Sequence, residues 1–260
     1  MGNNNSYKKL INIWKAAIKG NNILPDDRKK LTRDKLFQCK TLKGILKKDF
    51  FIEKSNFHEG LLPYPYVGNL EKAKIYLLML NPGVHLGDYR AEQRAEYKQA
   101  WERNIRQTFG KNDYPFFFLN PKFADTPAFD YWHNKLKDVI KTIIENKRCS
   151  YEEALRFISK HIACLELVAY RSPNFNLSER IIKELKSVQK IRSFANSLKN
   201  KTLIVLRSAK LWNINGDNNI IVYENGQAQA ASLTANSEGG ERIIKILSSC
   251  KAKKLRTPKK

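Results

Sequence analysis

Asn81-Pro82-Gly83, Glu166 and the run Asn236-Ser237-Glu238-Gly239-Gly240 each stand at or near the end of an apolar, strand-like stretch. Amides, carboxylates and hydroxyls can orient water, exchange protons or hold anions. Open parallel sheets bind ligands just beyond the carboxyl ends of their strands, so polar side chains delivered there by buried strands are well placed for catalysis. Asn81 is the first candidate, because Ile75-Tyr-Leu-Leu-Met-Leu80 stops abruptly on it. His85 and Asp88 follow closely enough to be considered as an acid–base pair. Asp88 is the alternative activator of a water, since a carboxylate accepts a proton where an amide only orients; its competing role is to start a surface helix.

These side chains act in a strongly basic setting. Lys and Arg number 48 against 25 acids, a net charge of +23, and the ending Lys251-Ala-Lys-Lys-Leu-Arg-Thr-Pro-Lys-Lys260 concentrates the excess. A phosphate backbone is the expected counter-surface, with binding that weakens steeply as salt rises. No run approaches the roughly 18 apolar residues that cross a bilayer, and the amino-terminal residues lack a signal-peptide core. An intracellular, monomeric protein that binds DNA and no membrane is expected. Cys39, Cys149, Cys164 and Cys250 form no C-x-x-C pair, and His58, His85, His133 and His161 do not fall at ligand spacing. Neither a metal nor another cofactor is expected.

The elements that would position the candidates follow from periodicity. Residues 7–50 read as Lys-rich and helical, with Leu10, Ile11, Trp14 and Ile18 at helical spacing. That region is either a DNA-contacting appendage or a helix packing Trp14 onto the main core. The turn-rich Leu62-Pro-Tyr-Pro-Tyr-Val-Gly68 leads into a strand at 74–80, a charged helical stretch to about 107 and the aromatic run Tyr114–Pro121. A helix at about 130–146, a strand at 163–169, a helix at about 177–197, strands at 202–206 and 220–223, and a last helix at about 241–249 complete the pattern. The Asn225-Gly226 step marks a turn before that helix. Such β-α-β-α-β alternation predicts a three-layer α/β/α fold with a short, mainly parallel central sheet, plus an N-terminal helical extension. The expected divisions are a basic helical region over 1–61, an α/β domain over 62–250 and a basic tail over 251–260.

In this order the segments resemble the uracil-DNA glycosylase superfamily. Asn81-Pro82-Gly83 is similar to its first motif, which puts Asn81 in the water-positioning place. Phe117-Phe-Leu-Asn-Pro121 resembles the region whose aromatic residue stacks on the extracted base, a role that falls to Phe117. Cys164-Leu-Glu-Leu-Val-Ala-Tyr-Arg-Ser-Pro173 resembles the strand whose Asn reads the base edge, and Glu166 stands at that position. Asn236 or its neighbours replace the usual His-Pro-Ser loop. The resemblance implies that Asn236 donates to the O2 of the departing base and that Ser237 contacts phosphate, a role compatible with capping the last helix. Arg171 and Lys210 are expected as further DNA contacts.

Two departures point away from uracil. Strict uracil enzymes place a tyrosine wall after the motif proline, whereas Gly83 leaves room for a substituent at C5; the glycine also has a simpler reading in turn geometry. A carboxylate accepts from cytosine N4, so Glu166 favours cytosine over uracil. Its competing role is an ion pair with Arg171 or Arg207. The resemblance implies a monofunctional DNA glycosylase that flips out a pyrimidine and hydrolyses its N-glycosidic bond, here on hydroxymethylated or glucosylated cytosine of phage DNA as antiviral defence. The alternatives are a uracil or mismatch repair glycosylase and an inactive DNA-binding module of the same fold.

Overall fold

The computed structural model describes residues 3–31, 35–37, 41–47, 57–214, 219–223 and 233–250. Cys39, the Asn225-Gly226 step and the tail 251–260 lie outside them. The core of the sheet is β4 (Ile75–Met79), β5 (Ile162–Glu166) and β6 (Thr202–Val205), every residue of which is buried. Continuous apolar runs of this kind belong to parallel strands covered on both faces. β7 (Ile220–Val222) extends the parallel set, and β3 (Tyr66–Gly68) adds an antiparallel edge, giving the order β3-β5-β4-β6-β7. A separate two-stranded parallel pair joins β1 (Leu36–Phe37) to β2 (Phe57–His58).

Helices cover both faces, as the sequence alternation predicts. On one face Tyr76 of β4 packs against Phe194 of α9 (Lys186–Asn196), which in turn packs against α1 (Asn3–Ile18). On the other lie α6 (Pro127–Lys147) and α11 (Glu238–Ser249), which pack together, with Gly239 of α11 close to Ile204 of β6. Between the strands run α4 (Leu86–Ala91), α5 (Ala95–Arg106), α7 (Tyr151–Ser159), α8 (Glu179–Glu184) and α10 (Ala209–Trp212). The short α2 (Pro25–Arg28) and α3 (Leu42–Ile45) precede the sheet. Among the described residues no helix is long and apolar enough to cross a membrane.

The first helix belongs to the main core. Leu10, Trp14 and Ala17 are buried in the same cluster as the sheet, with Trp14 against the Tyr170 ring at 5.9 Å. Tyr170 donates its hydroxyl proton to the buried Asp27 of α2 at 2.5 Å, and Asp27 also accepts from the Ser187 amide at 3.3 Å. That second bond explains why residues 177–197 form two helices: the chain turns extended at Leu185, and Asp27 then accepts one of the amides left open at the start of α9.

The antiparallel edge β3 went unforeseen because its partners lie far along the chain. Asn104 of α5 accepts from the Gly68 amide at 3.0 Å and donates to the Tyr66 carbonyl at 2.8 Å, while Gln107 donates to the Gly68 carbonyl at 3.0 Å. These amides satisfy an edge that would otherwise expose unpaired backbone. Gly68 has φ +113° and sits so close to β5 that a Cβ would fall 2.6 Å from the Ile162 carbonyl oxygen. Only glycine fits there.

Candidate active site at the carboxyl edge of the sheet

Strand order decides where a ligand can enter. β5 lies on one side of β4 and β6 on the other, so β4 stands where the strand order reverses, the place at which open parallel sheets take their ligands beyond the carboxyl ends. Asn81 occupies that point, two residues beyond Met79. Met79 is paired in register with Glu166, so Asn81 and Glu166 close adjacent strand ends. The Trp212 indole donates to the Met79 carbonyl at 3.0 Å and fixes the strand end from the β6 side.

The Asn81 side chain is held in one orientation. Its Nδ2 donates to Ser172 Oγ at 3.0 Å, to the Pro82 carbonyl at 3.1 Å and, more weakly, to the Tyr170 carbonyl at 3.4 Å. With the amino group committed, Oδ1 is left as the acceptor. Gly83 is exposed, and a Cβ built on it would meet nothing within 4 Å. The space beside the turn is open.

Glu166 is the unusual group. It is 7% exposed, and among the described residues it forms no ion pair with either Arg171 or Arg207. Among the described residues Oε1 accepts only the weak Cys164 thiol donor at 3.7 Å, and Oε2 is buried with no hydrogen-bond partner. Burial pushes the carboxyl up to about 8, against the Cys164 hydrogen bond and the more distant pull of Arg207 and Arg171. The group is therefore largely a neutral acid at pH 7.

Other side chains gather around Glu166. The Tyr131 phenol is raised by burial, then by Glu166 and Cys164, and is lowered by Arg207, which places it within electrostatic reach of all three. Tyr131 is nonetheless 47% exposed, and the Lys135 ammonium lies 5.4 Å from its ring centre. Burial and Arg207 lower Lys135. Tyr131 and Lys135 are four residues apart on α6, so one helix face presents both to the carboxyl edge. Sequence inspection passed over this pair because α6 reads as a packing helix.

Compared with known proteins, the chain stands apart. No family model, no curated protein and no solved structure matches it. The glycosylase resemblance therefore rests on the sequence segments already quoted.

Several expected assignments need correction. Asp88 is not a water activator, because it is 3% exposed, accepts from the His85 amide at 2.7 Å to cap α4 and forms an ion pair with Arg171. It does start a helix, with its own side chain buried there. Arg171 is not available to DNA, because Asp88 and Glu92 hold its guanidinium and the Gly83 carbonyl accepts from Nε at 3.0 Å. Its role is to brace the Asn81 turn from below. His85 accepts from the Gly87 amide at 3.0 Å as the α4 cap.

Phe117 is likewise unavailable for stacking on a base. Its ring is 2% exposed within a cluster of Tyr64, Tyr97, Phe118 and Phe123. It borders a cavity of about 500 Å³ with Tyr114, Arg103 and Arg156, a place none of the other candidates lines. Asn236 is exposed in the turn before α11, beyond β7, and no described contact links it to Asn81 or Glu166. Ser237 caps α11 by accepting from the Gly240 amide at 3.1 Å. Lys210 is exposed at the start of α10 and lies 3.4 Å from Glu179.

Proposed function

We propose that the chain is a monofunctional DNA glycosylase that extracts a pyrimidine and hydrolyses its N-glycosidic bond, acting on cytosine enlarged at C5. The observation that carries the reading is Glu166: a buried, unpaired carboxyl oxygen one strand from an amide whose own oxygen is free to hold water. Burying such a group without a partner costs a folded protein free energy, which argues for a ligand that completes it. A pyrimidine edge offers the matching donors and acceptors.

The geometry supports the following roles. Asn81 Oδ1 accepts from a water and aims it at C1′ of the sugar, and it stabilises the positive charge that develops there. Glu166 engages the base edge. Gly83 leaves the C5 side unobstructed, and the net charge of +23 supplies the sequence-independent grip on the backbone. Extraction of the nucleotide is required, because the bond is unreachable in stacked duplex. Large C5 groups on cytosine are a mark of some phage DNAs, so excision would riddle an invading genome with abasic sites.

Duplexes carrying uracil, cytosine, hydroxymethylcytosine or glucosylated hydroxymethylcytosine are incubated with the protein and scored for alkali-labile abasic sites. The expected result is cleavage at the modified cytosines, lost in Asn81→Ala while duplex binding persists. Cleavage at uracil alone would sink the cytosine reading, and binding without cleavage of any duplex would leave a DNA-binding module. Gly83→Tyr sharpens the test, since the added side chain starts from open space. It should leave the melting temperature within a few degrees and reduce cleavage of glucosylated cytosine at least tenfold more than cleavage of hydroxymethylcytosine, whose C5 group is smaller.

A further inference from the structure

We infer that Glu166 is the general acid of the reaction, entering it as a carboxylic acid that donates the Oε2 proton to N3 of the extracted cytosine. The inference rests on the glycosylase reading and adds the step that makes cytosine leave. Expelled directly, cytosine departs as an anion poorly able to hold the charge. Protonated at N3, it departs as a neutral base.

The surroundings of Glu166 fit a proton donor. A carboxyl kept ionised in a protein interior is paired with a cation or takes several hydrogen bonds, and Glu166 has neither. Among the described residues the groups that act on it are Cys164 on β5, Arg171 beyond β5, Arg207 beyond β6 and Tyr131 of α6, with Lys135 of α6 reaching the same Cys164 and Arg207. The two arginines act from a distance and do not close on the carboxylate. With its proton on Oε2, the group also matches the edge of neutral cytosine, donating to N3 while Oε1 keeps a lone pair for the N4 amino group. Its pKa of about 8 leaves the acid form in the majority at neutral pH.

The step balances. The Oε2–H bond breaks as N3–H forms, the C1′–N1 bond breaks with its electron pair going to N1, and the water held by Asn81 adds to C1′. The proton released by that water returns to the Glu166 carboxylate through solvent, restoring the acid.

Single-turnover rates of abasic-site formation on the best modified-cytosine duplex, measured from pH 6 to pH 9, test the inference for wild type and Glu166→Gln. Wild type should slow as pH rises through about 8. Gln presents the same donor and acceptor pattern but no transferable proton, so it should bind the duplex within a few-fold of wild type and react about 10²-fold more slowly or worse. A flat or rising wild-type profile, or an unimpaired Gln variant, overturns the proton transfer while leaving the glycosylase reading intact. If wild type cuts no duplex, both fail together. Infrared difference spectra give a readout independent of turnover: a protonated-carboxyl carbonyl band at pH 7, weakened in Glu166→Gln to what the buried Glu92 contributes, is expected. Its absence from wild type, or its full strength in Glu166→Gln, also overturns the inference.

Discussion

Glu166 sets a stability cost against its proposed chemistry. Its carboxyl is raised from 4.5 to about 8 in the folded chain, so below pH 4.5 both folded and unfolded states carry the proton. Between 4.5 and about 8 the unfolded state releases it while the folded state keeps it, and stability falls by about 1.4 kcal/mol per pH unit at most. Above that range the penalty is constant. Glu166→Gln removes the titration, so it should raise the melting temperature by several degrees at pH 8 and by little at pH 4. Thermal melts across that range check it, and a Gln variant that melts lower at pH 8 would mean the carboxylate has a stabilising partner. His58 has the opposite sign: burial holds it down to about 4, so its contribution is lost as pH falls below its ordinary value of 6.5.

At the scale of elements, the start of α11 binds its cap to its loop. Ser237 Oγ accepts from the Gly240 amide and donates to the Thr234 carbonyl at 2.9 Å. Ser237→Ala is expected to cost about 1 kcal/mol, the usual worth of such a cap. Gly240→Ala should cost more, because its Cβ would fall 1.8 Å from the Thr234 carbonyl oxygen and displace the loop from which Asn236 projects. Urea denaturation of both variants measures the difference; equal costs would show that residues 233–237 yield freely. The buried parallel strands were legible because β4, β5 and β6 are dominated by apolar residues, and a polar turn marks the end of β4. The expected element order passed over α7, although Ser150 and Glu153 form a capping box that signals its start. The commitment of Arg171 to Asp88 and Glu92 was not legible, since the partners lie roughly 80 residues apart and only the fold brings them together. Phe117 misled for a related reason: an aromatic run reads equally as a stacking platform or as core, and Tyr64 and Tyr97 from distant segments decide for core.

For the whole molecule, charge and chemistry separate cleanly. The described ion pairs are mostly exposed, where each is worth little to stability, and the counter-surface proposed for the positive excess is a polyanion. Residues 251–260 hold six lysines and arginines and no acid, so removing them lowers the net charge from +23 to +17. If DNA is the counter-surface, the logarithm of the binding constant should fall linearly with the logarithm of salt, with a slope of about −0.9 for each phosphate contacted. Anisotropy titrations of a duplex between 50 and 400 mM salt should give a steep slope for the full chain and a shallower one for residues 1–250. An unchanged slope would assign the backbone contacts to the body of the fold. The rate of base excision at saturating DNA should respond far less to salt, because Glu166 is buried and screening reaches buried groups weakly. A rate constant that fell with salt as steeply as affinity does would mean that extraction of the base, driven by backbone contacts, limits turnover ahead of the chemistry at Asn81 and Glu166.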